Sequence, residues 1–120
     1  MKKFLIGRAK SLKYAIKGMF LLLKTEDAII SQVSIGLVFV GLGFYFEITR
    51  FEWIIQILLL GFVLATESLN TAVEKICDFI HPDFHHKIGF IKDISAGAVS
   101  FAVFTTMTIA CIIYFPYIFG

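Results

Sequence analysis

Residues 67–74 read ESLNTAVE and come just after a run of thirteen almost wholly apolar residues, WIIQILLLGFVLA. At about 100° per residue, Glu67, Asn70, Thr71, Glu74 and Asp78 fall within an arc of about 100° on one helix, with Leu69, Val73 and Ile76 elsewhere. The polar residues therefore form a stripe. A carboxylate near the centre of a membrane helix costs about 2.5 kcal/mol or more, so such residues usually mark a functional path. Asn70 and Thr71 alone could glue helices together, but two acidic groups in such a helix ask for chemistry. Carboxylates bind Mg²⁺ through oxygen, usually together with substrate phosphates. A desolvated carboxylate can also take a proton from an alcohol, or carry protons for a coupled transporter. The stripe by itself leaves these open.

The elements that must position this stripe follow from composition. Of the 120 residues, 58% are hydrophobic, and the mean hydropathy is +0.86. A soluble domain is about half apolar, so the chain reads as a single membrane domain of residues 1–120. Three segments are apolar enough to span: 28–46, 53–80 and 94–118. EITRFE joins the first two, and KICDFIHPDFHHKIGFIKD reads as a longer polar loop before the third. Pro82 limits how far the second helix can run.

Charge sets the orientation. Seven of the eleven Lys/Arg residues lie in the first 24 positions, where there is no Asp or Glu. A cytoplasmic N-terminus leaves only Arg50 outside, as the positive-inside rule expects, and puts Tyr45, Trp53, Tyr114 and Tyr117 at the outer interface. Residues 1–25 read as an amphipathic surface helix. Lys3, Lys10, Lys13, Lys17 and Lys24 share one face, and Phe4, Leu5, Leu12, Ile16, Met19 and Leu23 the other. The interleaved apolar residues favour a bilayer over nucleic acid as its partner, and the lysines interrupt any signal-peptide core. Arg8 alone points from the apolar side, either snorkelling or gripping a phosphate. Cys77 and Cys111 have no partner spacing and read as small apolar residues.

This orientation puts further charges at the depth of the stripe. Glu26 and Asp27 stand where the first span begins. Lys92 and Asp93 stand where the third begins, followed by Ser95, Ala96, Gly97 and Ala98, which permit close helix approach. The segment HPDFHH offers His81, Asp83, His85 and His86 as metal ligands, but its spacing matches no standard zinc pattern. A polar loop touching a nucleotide is the better reading. There is no GxxxxGK[ST] and no GxGxxG, so an ATP site here is neither a P-loop nor a protein-kinase loop.

Glu67-Ser-Leu-Asn70-Thr-Ala-Val-Glu74, followed eighteen residues later by Lys92-Asp93 and a run of small residues, resembles the bacterial diacylglycerol kinase/undecaprenol kinase family. The Glu26 to Glu67 spacing fits too, as do Tyr14 and Lys17-Gly18. The resemblance implies an all-α membrane protein with three spanning helices and a surface helix. It also implies a homotrimer with shared active sites in the bacterial inner membrane. The implied reaction moves the γ-phosphate of MgATP to a lipid hydroxyl on the cytoplasmic side. By the same resemblance Glu67 is the general base, Glu26 and Glu74 hold Mg²⁺, and Asn70 supports the site. Lys92 meets the phosphates with Asp93 beside it, while Tyr14, Asp83 and His85 lie against the nucleotide. Ser31, Gln32 and Ala96 match the lipid route. Arg8 is assigned to the nucleotide, although it stands one residue nearer Lys17-Gly18 than the family's arginine, and position 7 is Gly.

Overall fold

The computed structural model describes residues 1–120 as four helices: α1 (Lys2–Thr25), α2 (Asp27–Phe46), α3 (Arg50–Ile80) and α4 (His86–Phe119). The last three are long and apolar enough to cross a membrane. Each junction has a local cause. Glu26 alone separates α1 from α2, with extended backbone (φ −109°, ψ 111°), and its amide still bonds the Leu22 carbonyl. One extended residue is enough to turn the chain sharply. Three side-by-side rods about 10–12 Å wide supply one long axis. Overall extents of 52 × 48 × 23 Å then require α1 to project from the bundle.

Between α2 and α3 the chain turns through a Schellman motif. The Ile48 amide reaches the Gly43 carbonyl at 3.1 Å and the Glu47 amide reaches that of Phe44 at 3.3 Å. Glu47 takes the left-handed conformation (φ 51°) that usually falls to glycine. A capping box then starts α3: the Glu52 amide donates to Thr49 Oγ1 (3.2 Å) and the Thr49 amide to Glu52 Oε1 (2.9 Å).

The stretch that reads as a long polar loop is helical at both ends, leaving only residues 81–85 between α3 and α4. Pro82 has no amide with which to prolong α3. His85 opens α4 early, because its Nδ1 accepts the Lys87 amide at 3.0 Å. Lys92, one turn beyond the half-buried Ile88, then reaches back to Asp78 of α3.

Packing is concentrated at the end of the bundle that holds the α2–α3 turn. Ile48, Ile113 and Tyr114 are buried there against Phe39, Leu42, Phe46, Trp53 and Tyr117. The Tyr114 hydroxyl donates to Gln56 Oε1. Gln56 Nε2 donates to the Phe39 carbonyl at 3.1 Å, and the Tyr117 hydroxyl donates to Glu52 Oε1 at 2.5 Å. Three of the four aromatic residues read as a belt thus also tie helices together, while Tyr45 stays exposed. Small residues admit close approach. A Cβ on Gly43 would stand 2.7 and 2.8 Å from ring carbons of Trp53. Gly43→Ala is therefore expected to lower stability by about 1–3 kcal/mol through overpacking. Gly41→Ala, where a Cβ meets nothing within 4 Å, should leave the detergent melting temperature nearly unchanged.

Only 12 of 120 residues are buried, and the radius of gyration is 18.1 Å, against about 14 Å for a compact chain of this length. Residues such as Leu58, Phe101 and Phe104 face outward. Lipid or further copies must cover these faces.

Candidate active site

The three buried polar residues of the chain are Glu67, Asn70 and Thr71, all from one face of α3. Sequence periodicity predicts this face; the fold turns its first turn inward and leaves Glu74 and Asp78 exposed. The Thr71 hydroxyl satisfies itself on the Glu67 carbonyl at 3.0 Å, the usual helix-internal solution for a hydroxyl in an apolar setting. Asn70 Nδ2 donates to Glu74 Oε1 at 3.2 Å. Asn70 Oδ1 is buried with no partner. The Glu67 carboxylate, on a residue only 9% exposed, makes neither a hydrogen bond nor an ion pair within the chain.

Two ion pairs gather the helix ends around the stripe. Lys75 Nζ lies 3.1 Å from Glu26 Oε1, joining α3 to the α1–α2 corner. Lys92 Nζ lies 2.5 Å from Asp78 Oδ1, joining α4 to α3. Glu26, the Glu67–Asp78 stretch and Lys92 thus share one end of the bundle, opposite the aromatic end. Between α1 and α3 opens a cleft of about 520 Å³, lined among others by Gly18, Thr25, Glu26, Ser68, Thr71 and Lys75. A second, apolar cavity of about 90 Å³ lies deeper between α2, α3 and α4, with Gln32 and Gln56 on its wall.

The other residues singled out by sequence are not tied to the stripe by hydrogen bonds or ion pairs. Arg8, Tyr14, Ser31, Asp83, Asp93 and Ala96 are exposed, and none of their side chains makes a hydrogen bond or ion pair. His85 is spent on the α4 cap, and His81 Nδ1 donates to the Asp83 carbonyl at 2.7 Å. Both histidines shape the 81–85 turn. Sequence reading passed over the partnership of Lys75 with Glu26. The one available signal was its place at the edge of the stripe, about 80° from Glu67 on the wheel.

A model of the prokaryotic diacylglycerol kinase family matches residues 13–114. The chain belongs to this family. It is 31% identical over 107 residues to the undecaprenol kinase of Bacillus subtilis (strain 168), covering 89% of this chain and 87% of that protein. It is also 31% identical over 93 residues to the diacylglycerol kinase of Haemophilus influenzae (strain ATCC 51907 / DSM 11121 / KW20 / Rd), covering 78% and 79% respectively. Membership makes the chain a phosphotransferase with an alcohol acceptor rather than a coupled transporter or a purely structural subunit. This membrane lipid kinase carries Glu26, Glu67, Asn70, Glu74 and Lys92 within the matched segment, whereas Arg8 lies before it.

Proposed function

We propose that the protein transfers the γ-phosphate of MgATP to the hydroxyl of diacylglycerol or undecaprenol, giving phosphatidic acid or undecaprenyl phosphate. The observation that carries this reading is Glu67, a residue nine-tenths buried whose carboxylate has no partner within the chain, one helical turn from the buried, unpartnered Oδ1 of Asn70. The lipid arrives laterally with its tails still in the bilayer, and only its hydroxyl must reach Glu67. As the hydroxyl oxygen bonds to the γ-phosphorus, its proton passes to the Glu67 carboxylate and the bond to the ADP oxygen breaks. Asn70 orients the Glu74 carboxylate through its amide. Lys92 leaves Asp78 to meet the phosphates, Asp93 stands beside it, and Tyr14, Asp83, His85 and Arg8 bound the nucleotide. Ser31, Gln32 and Ala96 line the lipid route.

Glu26 and Glu74 hold Mg²⁺. The donor set suits it, because both are hard oxygen ligands and Mg²⁺ prefers one or two carboxylates completed by substrate phosphates. When bound, it neutralises charge on the phosphates during transfer.

The active form is a homotrimer in the bacterial inner membrane, with the site on the cytoplasmic side. Two features favour shared sites: the outward-facing apolar helices, and the exposure of Arg8, Tyr14, Ser31, Asp83, Asp93 and Ala96, which no contact within one chain gathers. Purified protein given radiolabelled ATP and Mg²⁺, with each lipid in turn, should label at least one of them. Failure to label either would overturn the reading. The equal identity to the two named relatives makes both acceptors necessary in that assay.

A further inference from the structure

Glu26 is not free in this chain: the Lys75 ammonium sits 3.1 Å from its carboxylate. We propose that Lys75 is a positioning residue for the reaction, a resident counter-ion that holds Glu26 ready and is exchanged for the incoming divalent cation. The proposal rests on the reading of Glu26 as a magnesium ligand. Its basis is an asymmetry between the partners. The Glu26 side chain is 21% exposed and that of Lys75 68%. Glu26 is also the single residue between two helices, its amide bonded to Leu22 and its carbonyl accepting from Ile30, so its backbone has little freedom. Lys75 has a flexible four-carbon stem and a compact ammonium that rotates freely. Exchange therefore moves the lysine and leaves the carboxylate in place.

The cleft can accommodate the exchange. Both residues stand on its wall, with the hydroxyls of Thr25, Ser68 and Thr71 nearby. Its volume of about 520 Å³ exceeds that of a six-water ion shell, about 180 Å³ at roughly 30 Å³ per water. An ion pair this exposed is weak, so a divalent cation can displace the lysine without unfolding the corner. In the resting protein the pair spares Glu26 an uncompensated charge at the membrane surface.

The test uses the full-length protein in detergent, with Mn²⁺ as the only ligand and its binding followed by electron paramagnetic resonance. Lys75→Gln keeps a polar side chain and removes the charge, and should tighten Mn²⁺ binding by about two- to fivefold, the scale of an exposed pair. Lys75→Arg preserves the pair and should keep the wild-type affinity. In a Glu26→Gln background, Lys75→Gln should change nothing. A residue that merely held the corner together would instead loosen metal binding when lost. Unchanged or weaker binding in Lys75→Gln, or no binding by either protein, overturns the proposal. No nucleotide or lipid is present, so this result and that of the lipid-labelling assay fail separately.

Discussion

Glu67→Gln is expected to lower the turnover of lipid phosphorylation by about 10²–10⁴-fold, the usual contribution of a general base. The substitution preserves shape and removes the group that accepts the proton, so the Michaelis constants for MgATP and lipid should change little. Stability gives the discriminating control. Glu67 is nine-tenths buried and its carboxylate is unpartnered within the chain, so exchange for the isosteric neutral amide breaks no contact. The variant should melt at or above the wild-type temperature while losing its activity. A loss of both would mean that Glu67 holds the fold together. Undiminished phosphorylation by the purified variant would remove Glu67 from the mechanism.

Loss of the Glu74 carboxylate should act on the metal. Glu74→Ala is expected to raise the Mg²⁺ concentration for half-maximal rate by about tenfold or more, the scale of one charge-assisted contact. Glu74 also accepts from Asn70 Nδ2 at 3.2 Å, so the alanine variant frees that amide as well. Glu74→Gln separates the two effects, since its amide oxygen can still accept from Asn70 although the charge is gone. If the charge binds metal, both variants shift the titration. If Glu74 only orients Asn70, the alanine variant alone shifts it. An unchanged Mg²⁺ titration in both would exclude Glu74 as a ligand.

Much of this architecture is legible in the sequence because a bilayer simplifies the problem. A spanning segment must satisfy its backbone internally, so long apolar runs become helices whatever surrounds them. The stripe of Glu67, Asn70, Thr71, Glu74 and Asp78 is likewise a property of helix periodicity alone. The extent of α4 was harder to read. HHKIGFIKD carries enough charge to resemble a loop, whereas in the structure His85 caps the helix and Lys92 reaches Asp78 of α3.

Pairing is what the sequence by itself did not determine. It placed Glu26 and Lys92 at the depth of the stripe, because depth follows from counting residues along each helix. Which charge meets which depends on how α2, α3 and α4 rotate against one another, and small residues such as Gly36 and Gly43 set that rotation by admitting Leu60 and Trp53. Only the tertiary structure joins Glu26 to Lys75 and Lys92 to Asp78, and leaves Glu67 unpaired. Within a helix, spacing fixes the face of every residue. Between helices, a rotation of a few tens of degrees exchanges one partner for another, and side-chain packing alone selects among them.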